Sequence, residues 1–380
     1  MLDQLLGAHL TILIGQGLPR PAGLAVMEQF VSAEVAVSDT ERSGFELVFN
    51  AVRAGSIAGV FPIMAEPGLK AGSRVVLIAT LGIRPSVLMD GIIETAEFTP
   101  SEAGTPAKLH LRGMDLTFAM DREERSAVHP AQGPGEIAAL ILLRYASLGV
   151  VPMVIPPPAA ERPNPVDRIP VQRATDFAFL TELAAAHDCI FTLIPGPAPL
   201  TSVGYWGPKP RLSIPQPAIT TDMGPESNVT SLSFEDTAAE AAQVTGQVQD
   251  RQSGQTMPVQ SIVPLRPPLA AVPALANQSV VRSNLFRTNG APTAAQAMGE
   301  AQSQSDATLD TLTVTGDLDT GRYGAILAPR GLVGMRGAGL DHDGLYYVKS
   351  VIQKIGRGSW TQSFTLNREG TGTTVPVVLP

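Results

Sequence analysis

The chain has 380 residues, of which 44% are apolar and only 16% charged, with a formal net charge of −8. Its charge density lies below the roughly 25% of an ordinary soluble domain, and its acidic balance argues against a protein that wraps nucleic acid through clustered Lys and Arg. Cys189 is the single cysteine, which excludes an intramolecular disulfide and any zinc site built on a Cys pair.

From its length the chain is expected to form several domains with buried cores. Its 36 Gly and 33 Pro break it into short elements and favour β structure with many turns. Met1 to Gly17 carries Asp3 and no basic leader, so a signal peptide is not expected. A membrane span needs about 20 mostly apolar residues. The apolar stretch from Val150 is short and is interrupted at Pro152 and Pro156, so a soluble protein without stable membrane insertion is expected.

Up to about residue 100 the pattern is strands between Gly/Pro punctuation. Phe45, Leu47 and Phe49 alternate with Glu46, Val48 and Asn50, as in a half-buried strand. Val75 to Thr80 is β-rich, and Val87 to Phe98 reads as a strand interrupted at Asp90-Gly91 by a turn or bulge. Leu109 to Met120 continues in the same style.

Near Gly133 the texture becomes helical. Pro134 suits a first helical position and Glu136 its positive first turn. Ile137, Leu140, Ile141, Tyr145 and Leu148 then recur at helical spacing up to Gly149. Prolines over 152–170 predict a stiff extended connector. A second helix is predicted from Thr175-Asp176 to about His187, with Phe177, Leu180, Leu183 and Ala184 inward, leading into a strand from Cys189 to Ile194.

Strands resume at Ser231 to Phe234, Val244 to Gln249 and Val259 to Val263, followed by an irregular 264–290. Ala291 to Ala307 predicts a surface helix with Pro292 in its first turn. Leu309 to Thr315 predicts a strand, with Gly316 to Gly321 as its turn. Gly331, Gly334, Gly337 and Gly339 crowd a segment whose backbone must bend or approach a neighbour closely. The pattern from Leu345 to Ile355, turning at Gly356 to Ser359 and returning through Trp360, predicts a half-buried hairpin. Trp360, Gln362, Phe364 and Leu366 share one of its faces, and Thr361, Ser363 and Thr365 the other.

Candidate chemistry fails on geometry at each place it arises. The histidines are His9, His110, His129, His187 and His342, none spaced as HExxH. His187-Asp188-Cys189 groups a base with a thiol, but such partners normally come from different elements, so a helix-terminal His and a buried strand Cys are expected. Gly15-Gln16-Gly17 opens like a dinucleotide fingerprint and is then broken by Pro19 and Arg20. Asp341, His342 and Asp343 sit at a turn before Gly344 and read as solvated. Asp121, Glu123 and Glu124 alternate with Arg122 and Arg125 as a salt-paired surface rather than a glycosidase pair. Asn228-Val229-Thr230 fits a glycosylation pattern, which has no meaning without secretion. No catalytic, cofactor or metal residue is assigned, and no enzyme is expected. The alternatives are a tail-associated cell-wall hydrolase and a β-rich receptor-binding or adhesion module.

Three stretches carry a family resemblance. The block Gly331-Leu332-Val333-Gly334-Met335-Arg336-Gly337, then Asp343 to Val351, then Gln362 to Gly370, resembles the phage late control D family, the baseplate hubs of contractile phage tails and injection systems. Val244 to Arg251 resembles that family's mid-chain strand and turn, and Arg173 to Leu180 its helix start. The resemblance is best at the C-terminal end and extends back to about residue 170. It implies a mainly β fold with an α+β insert, in which two tube-like antiparallel β-barrels are joined by small accessory domains. The implied divisions are a first barrel over 1–105 completed by about 196–240, a mixed unit over 106–195, a second barrel over 241–370 with an irregular insert and helix at about 264–307, and a tail over 371–380.

The resemblance further implies a homotrimer forming a pseudo-sixfold adaptor between hexameric tube proteins and a trimeric spike. Its place would be the baseplate of a phage tail or injection particle assembled in the bacterial cytoplasm. Relatives of VgrG type continue into an OB-fold and needle that are not seen after Gly370, so the spike and the other baseplate proteins are expected as separate partners. Gly331, Gly334, Arg336, Gly337, Gly344, Tyr346, Tyr347, Trp360 and Phe364 are expected to be barrel framework.

Overall fold

Alternation of large apolar and polar residues produces strands wherever a sheet can bury one face. The computed structural model describes residues 7–53, 61–102, 106–157, 162–166, 169–251, 253–261, 264, 266–288 and 292–375. Parts of the Pro-rich connector and of the expected tail lie outside the described residues. The fold is mainly β with a mixed insert, as expected.

Six N-terminal strands are β1 (Ala8–Gly15), β2 (Phe30–Ser38), β3 (Gly44–Asn50), β4 (Arg74–Leu81), β5 (Arg84–Thr99) and β6 (Lys108–Asp115). They pair antiparallel in the order β2-β3-β6-β5-β4-β1. Ile12 and Ile14 from one end of this strip share a single core with Phe30, Ala33 and Val35 from the other, so the sheet curls over its own apolar face. Phe45, Leu47 and Phe49 point into that core as their alternation predicts.

Strand β5 is not interrupted at Asp90-Gly91. It runs unbroken to Thr99, and its irregularities fall at Leu88 and Glu94, where the registers with β4 and β6 shift. Gly91 and Gly113 instead make room for one aromatic ring, because a Cβ would lie 3.0 and 2.5 Å from the Phe45 ring. Glycine here marks close approach rather than a turn.

A mixed insert follows, comprising β7 (Glu124–Val128), α1 (Pro134–Leu143), β8 (Val150–Val154), β9 (Val171–Thr175), α2 (Asp176–Ala185), β10 (Cys189–Pro195) and β11 (Ser202–Pro208). Both helices start where expected. The Glu136 carboxylate accepts the Gly133 N–H at 3.0 Å, and Thr175 Oγ1 accepts the Ala178 N–H at 3.2 Å. Ile137, Ile141, Leu180 and Ala184 pack with Phe191, Leu193 and Trp206 in a second core. Leu140 stays exposed instead of joining it.

The C-terminal half begins with β12 (Gln216–Thr220) and β13 (Val229–Asp236). Next come β14 (Ala242–Gln249), β15 (Thr256–Gln260), β16 (Ala270–Pro273), β17 (Arg282–Leu285) and α3 (Ala294–Asp306), of which β14, β15 and β17 form a small sheet. It is followed by β18 (Leu312–Asp319), β19 (Leu332–Arg336), β20 (Gly344–Gly356), β21 (Ser359–Arg368) and β22 (Gly370–Thr373). The region expected to be irregular therefore contains two strands. The predicted surface helix is half buried, with Ala297 and Ala301 fully covered by Val244, Val248, Val259 and Phe286. Thr293 caps it and Pro292 precedes it.

Strands β12 and β13, expected to complete the first barrel, pair instead with β19 and β18 of the C-terminal half. The apolar residues Ile219 and Leu232 accordingly pack with Val314, Val333 and Phe364. The predicted turn at Gly316 is also displaced. β18 continues to Asp319, whose carboxylate caps a short helix by accepting the Arg322 N–H at 2.9 Å, and Gly316 leaves space for the Phe364 ring. The two halves are one sheet, in the order β13-β18-β21-β20-β2, because β20 pairs with β2 from Ser350↔Ser38 to Gly356↔Ser32.

Candidate structural site: the C-terminal hairpin and its arginine anchors

The β20–β21 hairpin is where the two halves become one body. Its pairing is continuous from Tyr347↔Asn367 to Gly356↔Ser359, apart from one bulge after Val348. The predicted facing holds, since Trp360, Gln362, Phe364 and Leu366 are buried while Thr361, Ser363 and Thr365 are half-exposed. Yet the buried side serves two cores. Ile355 and Trp360 pack with the N-terminal strands, and Val348, Val351, Phe364 and Leu366 with the C-terminal ones.

Between those cores lies a polar seam. Trp360 Nε1 donates to Gln353 Oε1 at 2.8 Å, and Gln353 Nε2 donates to Gln362 Oε1 at 2.8 Å. Gln362 Oε1 also accepts the Leu327 N–H at 2.8 Å, and its Nε2 donates to the Ala325 carbonyl at 2.8 Å. Both glutamines are buried and their amides are bonded, which makes the seam directional rather than merely apolar.

The glycine-rich segment divides by position. Gly331 lies against the Gln216 side chain, and Gly334 pairs with Leu345 inside the sheet. Arg336 ends β19 opposite Thr220. Gly337 has φ +84°, and any Cβ there would overlap the Thr221 carbonyl oxygen. Gly344 has φ +128° and abuts Arg368 and Thr373. At Gly337 and Gly344 side-chain residues are excluded both by conformation and by space.

Tyr346 is fully buried and donates to the His342 carbonyl at 2.6 Å. The Arg368 guanidinium stacks 4.3 Å from the Tyr346 ring centroid and donates to the carbonyls of Gly370, Asp343 and Asp341 at 2.9, 3.0 and 2.7 Å. Tyr347 is buried beside Asp39 and Arg330; burial and the Asp39 charge push its hydroxyl pKa well above the ordinary value.

Sequence spacing gave no sign of the anchors around this hairpin, because their partners are far apart in the chain. Arg211, buried behind the hairpin's end, ion-pairs with Asp310 and places Nη1 2.5 Å from Glu369. Glu369 also receives the N–H groups of Leu269 and Ala270, tying β16 to the end of β21. Lys209 and Arg266 both lie 3.0 Å from Asp310. Burial pushes the Asp310 pKa up, but Arg266, Lys209 and Arg211 outweigh that effect and hold it well below the usual carboxylate range.

Three further arginines fasten the insert to the sheet. Arg42 pairs with Asp121 and stacks 4.1 Å from the Phe177 ring centroid. Arg74 binds both oxygens of Asp90 at 2.7 Å and reaches the Leu148 carbonyl at 2.8 Å. Arg330 donates to Thr192 Oγ1 at 2.6 Å and to the Ser38 carbonyl at 3.3 Å, touching the insert and β2 together. Forked, permanently charged donors suit such carbonyl-rich junctions.

The residues that suggested chemistry are structural in this geometry. The Cys189 Sγ donates to the His187 carbonyl at 3.4 Å, and burial followed by the Asp188 charge pushes its pKa up to about 12, far from a thiolate nucleophile. His342 stacks on Phe234 at 4.4 Å, and the Asp343 carboxylate accepts the Ala338 N–H at 2.8 Å. Gly15 ends β1 in a hairpin, where Ile14 pairs with Arg20, and no phosphate-cradling turn forms. Among the described residues no group of three or more His, Cys, Asp or Glu is placed to hold a metal, and no helix is long and apolar enough to cross a membrane.

Comparison with known proteins matches this architecture at the level of the fold. A tail protein from Neisseria meningitidis superposes with a TM-score of 0.66 at 14% identity, over 96% of this chain and 97% of that one. The fold is that of phage tail proteins. A 43 kDa tail protein of a Shewanella oneidensis prophage gives a TM-score of 0.64 at 13% identity, covering 96% and 99% of the two chains. An Escherichia coli component of the type VI secretion system, described as structurally similar to T4 bacteriophage tail proteins, gives 0.56 at 13% identity over 98% and 80%. No family model matches the sequence, and no curated protein matches it.

Proposed function

We propose that this chain is a structural subunit at the base of a contractile phage tail or a related injection machine. Three copies would form a pseudo-sixfold adaptor between a hexameric tube and a trimeric spike, with each copy contributing two curled β halves. The observation that carries the reading is the unbroken strand pairing across β2 and β20. It holds two sheet halves in fixed relation, as a subunit supplying two of six quasi-equivalent positions requires.

The solvent face of that joint sheet supports the same reading. One row of cross-strand neighbours runs Thr361, Lys354, Glu34, Glu46 and Arg112, and another runs Thr315, Thr365 and Ser350. A hydrophilic face of small and mixed-charge side chains fits a water-filled conduit better than a buried contact. The named folds, a tail protein, a prophage tail protein and a secretion-system component, favour such a structural role over a hydrolase.

The full chain co-expressed with its neighbouring tube and spike genes tests the proposal. Native mass spectrometry should show three copies with one spike trimer. A monomer that binds neither component would refute it.

A further inference from the structure

Charge is segregated between two adjoining stretches of the chain. Residues 212–250 contain Asp and Glu but no Lys or Arg, while residues 251–299 contain Arg but no Asp or Glu. Each stretch also carries a strand whose outer side is covered by no described strand. β13 ends the main sheet beyond β18, and β17 ends the small sheet beyond β14.

Both edges leave backbone groups open to a neighbour. Phe286 N–H donates to the Thr245 carbonyl at 2.8 Å, and backbone groups alternate along a strand, so the N–H groups of Ser283 and Leu285 face away from β14. Proline, the usual edge protection, is absent from β13 and β17. Leu285 is 71% exposed. Arg282 and Arg287 flank it, and Glu235 and Asp236 end β13; all four are exposed, and none forms an ion pair with a described residue.

We propose that the open edge of β17 in one copy pairs with the open edge of β13 in the next, joining copies head to tail. The inference rests on the reading of the chain as a ring subunit and names the contact that would close the ring. A subunit carrying both halves of a complementary pair, and joining neither within itself, forms a heterologous interface. The backbone ladder supplies the contact, and Arg282 and Arg287 against Glu235 and Asp236 set its register and exclude like-charged pairings.

Light scattering after size exclusion, on the full chain at low and high salt, tests the contact. The double variants Arg282→Glu/Arg287→Glu and Glu235→Arg/Asp236→Arg should each weaken self-association by about 10-fold or more. Combining all four changes re-matches the charges and should restore it, which a misfolded chain would not do. Ser283→Pro, which removes one outward N–H without touching charge, should weaken it as well. Circular dichroism should show each variant folded. Self-association unchanged in both double variants would overturn the contact while leaving the ring reading intact. A wild-type chain that stays monomeric at every concentration would remove both.

Discussion

Ile355 and Trp360 pair across the tip of the C-terminal hairpin, yet both side chains pack in the core of the N-terminal half. Farther along the same two strands, Val351 pairs with Phe364, and both belong to the C-terminal core. One hairpin is therefore structural material for two curled sheets, and the hydrogen bond from Gln353 Nε2 to Gln362 Oε1 marks the crossing between them.

Trp360→Ala should uncouple nothing and weaken everything. Removing this 9% exposed ring costs about 3–5 kcal/mol of cavity and transfer energy, and it leaves Gln353 Oε1 without its donor. Because the hairpin spans both cores, both halves should lose stability together in urea titrations followed by fluorescence of the remaining Trp206 and by circular dichroism. Two separated transitions, with the C-terminal half unaffected, would contradict the shared hairpin.

Two glycines with positive φ should differ sharply in what their replacement costs. Gly337→Val meets both a φ of +84° and the Thr221 carbonyl, so it should cost more than ~3 kcal/mol and yield little soluble protein. Gly358→Ala, at φ +81° with no atom within 4 Å of its Cβ, should cost only about 1 kcal/mol. Soluble yield and melting temperature separate the two.

Arg211→Ala strands one acid. Buried Glu369 would lose its Arg211 partner, a change that typically costs about 3–5 kcal/mol, while Asp310 would keep Lys209 and Arg266. Arg211→Lys should recover only part of this, since an ammonium cannot reach both carboxylates as the planar fork does. The same variant should loosen β16, because Glu369 also holds the N–H groups of Leu269 and Ala270. Hydrogen exchange at those two amides measures that loosening directly.

Mild acid should stabilise the fold. Burial, only partly opposed by hydrogen bonds from the Thr117 side chain and backbone, raises the Asp115 pKa to about 6. Burial likewise raises Asp188 to about 6 against the pull of Lys209 and Arg266. A carboxyl whose folded pKa lies above its unfolded value holds its proton more firmly when folded. Its contribution is complete below pH ~4 and is lost as pH rises through ~6. Moving from pH 7.5 to 5.5 should add about 1 kcal/mol through Asp115. Asp115→Asn should flatten that dependence in denaturation curves taken across the window.

Local pattern carried much of this fold and little of its anchoring. The hairpin, the Gly133 and Thr175 helix starts and the Phe45 strand were legible because period and capping are properties of neighbouring residues. Gly91 and Gly316 misled, since a strand glycine under an aromatic ring looks the same in sequence as a turn glycine. The partnership of β12 and β13 with the C-terminal half was hidden for a different reason. Both halves offer similar apolar strands, and only packing against Val314 and Val333 selects one. Arg211, Arg330 and Arg368 act on carboxylates and carbonyls supplied by the tertiary fold, so no spacing announces them. Of the residues expected to be framework, Gly334, Gly344, Tyr346 and Tyr347 lie in the β19–β20 pairing, and Trp360 and Phe364 in the β20–β21 pairing.

The most direct test of the account is cryo-electron microscopy of the intact particle that carries this chain. The proposed role requires three copies in a ring on the tail axis, between tube and spike, with the Thr361–Lys354–Glu34 face of each copy turned toward the channel. Density for this chain away from the axis, or a copy number that is not a multiple of three, would contradict it.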